Sequence, residues 1–291
     1  MRVHHLNCIS SCPLGGRLMD GRSTGLRGQL ACRCVLVETS AGLVLVDTGY
    51  GLRDVAAPLE RLSRFFLRLL DPNFKEELTA VRQIEALGFS PRDVRHIVLT
   101  HLDFDHAGGL DDFPEATVHM MLSEAEDAAS QRSWLDRQRF RPRQWVGSVD
   151  RWVGYDGGGE PWYGFNCVRD LRGVPPEILM VPLVGHTLGH AGIAIEQEQG
   201  WLFVAGDAYF CHSELDENPR CTPGLRFYQW LMEKDRQSRL ANQQRLRALV
   251  RDHGGEVRVI CSHDPRELEL DMGHPLDVLP PPEHRPTLGV V

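Results

Sequence analysis

The sequence predicts an α+β protein, on three observations. Apolar runs of strand length recur along the chain, helical stretches separate them, and several of the runs stop at a histidine or aspartate.

The first paired runs are Cys32-Arg33-Cys34-Val35-Leu36-Val37-Glu38 and Leu43-Val44-Leu45-Val46, turned by Ser40-Ala41-Gly42. The second enters Asp47-Thr48-Gly49, and a carboxylate ending an apolar strand needs a bonded partner. Residues 52–87 read as helical, broken at Pro72 and closed at Leu87-Gly88. A strand, His96-Ile97-Val98-Leu99-Thr100, then feeds His101-Leu102-Asp103-Phe104-Asp105-His106-Ala107-Gly108-Gly109. Ala116 to Leu122 reads as a strand, and Ser123 with Glu126 as the capping box of a helix reaching about Gln138.

Residues 140–166 hold Phe140, Trp145, Trp152, Tyr155, Trp162, Tyr163 and Phe165 among glycines. They suit either a surface loop pinned by aromatics or a lid and pocket wall for an apolar substrate group. The domain expected is a single one over 1–291, with a lid-like insertion around 123–177. Further strands are Ile178 to Val184, Ile193 to Ile195, Trp201 to Ala205 and Val257 to Ile260, with a helix over Phe227 to Val250. The tail, with Pro275, Pro280, Pro281, Pro282 and Pro286, reads as extended.

Composition narrows the function classes. A net charge of -8, from 32 basic and 40 acidic residues, argues against a nucleic-acid surface. No stretch approaches the roughly 20 apolar residues of a membrane span. The first residues hold no apolar signal core, so a cytoplasmic protein is expected, its eight cysteines reduced and mostly buried.

Five segments share one grammar, an apolar strand followed by a ligand-type side chain at its C-terminal end. They deliver Asp47, the 101–106 cluster, His186, Asp207 and His263. Imidazole with carboxylate is what a borderline-to-hard divalent cation selects.

Through Leu45 to Gly49, Thr100 to His106, Gly185 to His190, Ala205 to Asp207 and Ser262 to Asp264, the chain resembles a metallo-β-lactamase superfamily hydrolase. It is most similar to the N-acyl homoserine lactonase group through Phe104 to Gly109 and His263-Asp264. The resemblance covers roughly residues 30 to 270 and implies a four-layer αββα sandwich with the metal site between the edges of two sheets. It also implies two divalent metal ions. His101, Asp103 and His186 would form a first site, Asp105, His106 and His263 a second, with Asp207 bridging them and Asp47 orienting a ligand from behind.

Most hydrolases of this family carry histidine where this chain has Asp103. If Asp103 binds, a cluster otherwise formally carrying one positive charge becomes neutral. That would shift preference from zinc toward iron or manganese. The competing expectation is that Asp103 turns away. The implied reaction is attack of a metal-bridging hydroxide on the carbonyl of a lactone, ester or similar small substrate, with Asp105 relaying a proton. Tyr209 is a candidate donor to the oxyanion, offset by one from the lactonase tyrosine, and equally suits a packed core position. The alternative is an iron-dependent oxidoreductase on the same fold, a sulfur dioxygenase or flavodiiron-like protein.

Overall fold

A computed structural model describes residues 1–168 and 170–276. The tail from residue 277 onward, expected to be extended, lies outside the described residues.

Two sheets carry the fold. The first has six strands in the order β1 (Arg2–Asn7), β2 (Arg33–Thr39), β3 (Gly42–Val46), β4 (Val94–Val98), β5 (Thr117–Met121) and β6 (Trp152–Tyr155). Its first two pairings are antiparallel and the rest parallel. A small hairpin, β7 (Glu160–Trp162) with β8 (Phe165–Cys167), links it to the second sheet. That sheet has the order β12 (Val257–Ile260), β11 (Gly200–Val204), β10 (Ala191–Gln197) and β9 (Ile178–Pro182), with only β11 and β12 parallel.

The alternation of side chains along these strands builds four layers. Val35, Val37, Val44, Val46 and Val98 point inward and meet Ile178, Met180, Ile193, Ile195 and Val204 of the other sheet. The outward neighbours Leu36, Leu45 and Ile97 pack on Val81 and Ile84 of the helix Ala80–Ala86. Leu179, Val181 and Phe203 pack on Leu246 and Leu249 of the helix Arg236–His253. Both faces are covered, which is why these strands read as unbroken apolar runs. The α+β sandwich expected from the sequence is the fold observed.

The helices depart from the expectation in detail. The stretch 52–87 divides into short pieces, among them Leu52–Ala56, Pro58–Arg61, Arg64–Leu70 and Ala80–Ala86, with Pro58 opening a new turn. Ser123 is not an N-cap, because the helix Leu122–Ser130 starts one residue earlier. The reciprocal capping box belongs to Ser133 and Asp136, at the start of Trp134–Arg139. The expected helix from Phe227 is two, Pro223–Met232 and Arg236–His253, each with a side-chain cap, at Thr222 and Asp235. Phe140, Trp145, Trp162 and Phe165 are buried in the cores. All eight cysteines are free thiols.

Candidate metal centre

The ligand-type residues follow the ends of strands from both sheets. β3 runs into Asp47 and β4 into His101 to His106, while β9, β11 and β12 lead to His186, Asp207 and His263. All seven predicted ligand positions converge. Ligand atoms of His101, Asp103 and His186 lie within 4.8 Å of one another, as do those of His101, His106 and Asp207, and those of Asp105, His106 and His263. Asp207 sits between the groups. Its Oδ2 is 3.1 Å from His263 Nε2 and 3.4 Å from His186 Nε2, and its Oδ1 is 3.4 Å from His106 Nε2.

Three of the imidazoles, His101, His106 and His263, are oriented by a bond from behind. Asp47 has the partners its position demanded. Its Oδ1 accepts from Thr100 N at 2.8 Å, and its Oδ2 accepts from the Thr100 hydroxyl at 2.7 Å and from His106 Nδ1 at 2.9 Å. The same hydroxyl lies 2.9 Å from His101 Nδ1 and accepts there, and His263 Nδ1 donates to the Ala31 carbonyl at 2.7 Å. With Nδ1 protonated, Nε2 of His101, His106 and His263 offers its lone pair to the centre. His190 is not part of the cluster's inner surface. It donates from Nδ1 to Leu183 O and accepts the Asp207 backbone N–H on Nε2.

Side chains from elsewhere in the fold hold the loop by its backbone. Glu124 accepts from Leu102 N at 2.8 Å and, through its other oxygen, from the Thr187 hydroxyl at 2.5 Å, tying the two ligand loops together. Gln144 donates to Phe104 O and Arg61 to Gly108 O. Burial, the largest influence on Glu124, pushes its carboxyl up to about 7.

Three buried atoms test whether a metal fits. His101 Nε2, His106 Nε2 and Asp207 Oδ1 make no hydrogen bond among the described residues, although all are inward-facing. Orphaned acceptors converging on one point suit a cation. The electrostatics agree. Burial opposes charging of His106, but Asp207, Asp47 and Asp105 outweigh it and raise the imidazole to about 10. His263 rises to about 9 against the effect of burial, chiefly through Asp207. The carboxylates thus draw in positive charge.

Asp103 neither turns away nor stands as a bare extra anion. Both its oxygens are gripped by the Arg139 guanidinium, at 2.7 and 2.5 Å, while Oδ2 stays 3.0 Å from His186 Nε2 and 3.3 Å from His101 Nε2. The charge argument for iron or manganese therefore loses its premise, because a fixed cation balances the added carboxylate.

Tyr209 is fully buried in the core beneath the second sheet, and its hydroxyl donates to Glu267 at 3.1 Å, which is the packed core position that the sequence equally allowed. Phe210, three residues past Asp207, stacks on His263 with ring centroids 4.9 Å apart. Tyr228, on the helix Pro223–Met232, packs edge-on against Phe210. Burial, then the carboxylates of Asp105, Asp103 and Asp207, hold its hydroxyl well above the usual range, so it stays protonated. Arg139, Glu124 and Tyr228 carried no sequence motif. A further trio, Cys211, His212 and Asp264, lies close together. Asp264 is already engaged there, its Oδ1 capping the helix Pro265–Met272 and its Oδ2 accepting from His212 N and Nδ1.

Comparison with known proteins follows the same lines. The metallo-beta-lactamase superfamily model matches residues 27–263. A probable metallo-hydrolase of Mycobacterium tuberculosis is 39% identical over 270 residues, 93% of this chain and 82% of that protein. An N-acyl homoserine lactonase of Bacillus thuringiensis is 27% identical over 187 residues, 63% of this chain and 66% of that protein. Among solved structures, an N-acyl homoserine lactone hydrolase with N-hexanoyl-L-homoserine bound at its catalytic metal center gives a TM-score of 0.68 at 22% identity. That match covers 92% of this chain and 95% of the other. No helix among the described residues is long and apolar enough to cross a membrane. The chain belongs to the metallo-β-lactamase superfamily and is a metallo-hydrolase of that fold.

Proposed function

We propose that this protein hydrolyses a lactone or a similar small ester at a pair of divalent ions, zinc being the ions of choice. The observation that carries the reading is the overlap of three ligand groups through His101 and His106, with Asp207 in the middle group. The hydrolase and lactonase relatives support it and give no support to the oxidoreductase alternative. His101, Asp103 and His186 would hold one ion and Asp105, His106 and His263 the other, with Asp207 shared. Bound there, the ions supply Lewis acidity and an acidified water.

The chain's own groups do the rest. Asp47, Thr100 and Ala31 O keep three imidazoles facing inward. Asp105, among the least buried of the cluster carboxylates, carries the proton released on attack to the departing alkoxide. Tyr228 keeps its proton and donates a hydrogen bond to the oxygen of the reacting carbonyl.

Metal analysis of protein purified without chelator, with a panel of lactones and esters of graded acyl length, tests this. Two equivalents of metal and lactone turnover are expected, and His106→Ala or Asp207→Ala should abolish turnover while leaving the fold largely intact. Tyr228→Phe should lower kcat by about 100- to 1,000-fold, the usual effect of losing one oxyanion donor. Protein that retains no metal, or His106→Ala enzyme with wild-type turnover, would overturn the reading.

A further inference from the structure

Arg139 ends the helix Trp134–Arg139 and is fully buried. Its Nε and Nη2 fork onto Asp103, Nη1 donates to Met232 O at 2.5 Å, and Nη2 also lies 2.9 Å from His186 Nε2. His186 Nε2 also lies 3.0 Å from Asp103 Oδ2, so the Arg139–Asp103 pair engages this inward-facing nitrogen in either tautomer, as an acceptor from the guanidinium or a donor to the carboxylate. Two of the three ligand groups in the first subsite are bonded to a fixed cation. Arg139 makes no hydrogen bond or ion pair with Asp105, His106 or His263 among the described residues.

We propose that Asp103 and Arg139 act as one unit, a charge-balanced pair standing where most hydrolases of the family place a histidine, and that Arg139 sets the metal affinity of the first subsite. The proposal rests on the reading that these residues hold metal ions. An ion entering the first subsite must share Asp103 and His186 with the guanidinium and sit close to its charge. The second subsite carries no such competitor. The two ions should therefore load in two separate steps, the tight one at Asp105, His106 and His263. Arg139 is a positioning residue here, acting through Asp103 and His186.

Titration of the metal-free protein with Zn²⁺ tests this, by calorimetry and by competition with a chromophoric chelator. Neither readout depends on turnover. Wild type should show two steps separated by roughly 10- to 100-fold or more, the scale on which partners of ligands move metal affinity. Arg139→Met should tighten the weak step by a similar factor. Asp103→His alone should lose the weak step, since the guanidinium is left beside the ion without a counter-charge. Asp103→His with Arg139→Met should restore two steps of similar affinity, and this double variant leaves neither buried charge unpaired if Arg139→Met fails to fold. The inference falls if Arg139→Met and the double variant keep the wild-type separation, or if Asp103→His binds as tightly as the double variant. Two equally tight steps in wild type would sink the inference alone, whereas no Zn²⁺ binding at all would sink the metal-site reading with it.

Discussion

Asp47→Asn isolates one proton in the candidate centre. The residue sits at φ 56°, a left-handed conformation that asparagine tolerates, and the change preserves its size. One amide oxygen can still accept from Thr100 N. The amide nitrogen then replaces Oδ2, where the Thr100 hydroxyl and His106 Nδ1 both donate. The hydroxyl can rotate and accept, but the imidazole cannot. To avoid two opposed donors, a neutral His106, the form that can bind a metal, must carry its proton on Nε2 in place of Nδ1, and Nε2 is the inward-facing atom that makes no hydrogen bond in the native arrangement. A metal ion must then displace that proton or restore the opposed donors. The expected loss is about 10- to 100-fold in metal affinity, equivalent to about 1.4 to 2.7 kcal/mol. Chelator competition measures it, and ¹⁵N shifts of the imidazole report the tautomer. Wild-type affinity together with an Nδ1-protonated His106 would refute the reasoning.

Three other outcomes follow from the geometry. Tyr209→Phe should leave kcat and KM unchanged and cost about 0.5 to 1.5 kcal/mol of stability for the bond to Glu267; a selective fall in kcat would return Tyr209 to the reaction. Gly206→Ala should disturb the centre, because the residue has φ 56° and an added Cβ would lie 2.6 Å from His190 Nε2; equal metal affinity in the variant would show that the His190 to Asp207 N–H bond is dispensable. Acid should weaken the metal-free protein through imidazoles outside the cluster. Burial, then His96, lowers His119 to about 3, and burial, then Arg33, lowers His5 to about 4. Unfolded chains bind these protons near pH 6.5, so stability present above that value is lost as pH falls toward 4, by up to about 1.4 kcal/mol per pH unit for each imidazole. Urea unfolding of His119→Gln should show a shallower fall over this window, and an unaltered slope would exclude His119 as a source.

The strands and the ligand positions were legible because both follow from local rules. A strand buried on two faces must be apolar throughout, and a sandwich whose strand tips carry the chemistry writes each ligand directly after such a run. Asp47 could be recognised as a bonded carboxylate from its place alone. The helices were less legible because their limits are set by competing caps. Ser123 with Glu126 and Ser133 with Asp136 have the same spacing, and only the route of the chain after β5 decides between them. The aromatics of 140–166 could not be assigned to a pinned surface loop or to a lid, since that choice depends on which sheet face the segment meets. Tyr209 and Tyr228 show the same limit. Spacing from Asp207 pointed to the first, whereas Tyr228, whose hydroxyl the cluster carboxylates help to keep protonated, arrives from a helix that no motif connects to the site.

Asp103 carries this furthest. Read as a letter in a motif, it adds a negative charge to the cluster and argues for a harder metal. Its charge is matched by a residue 36 positions away, on a helix whose own sequence gives no sign of facing a metal. A buried carboxylate and a buried guanidinium are each unaffordable alone, so the presence of one required the other somewhere in the fold. The sequence could supply that requirement but not its address. With Arg139 in place, the electrostatic sum around two bound ions would return to that of a histidine-bearing relative, while the hydrogen bonds would not. An imidazole offers its lone pair freely, and Asp103 offers one already shared. The substitution therefore bears on how firmly the first ion is held more than on which ion is chosen, and metal affinity is where its effect should be sought.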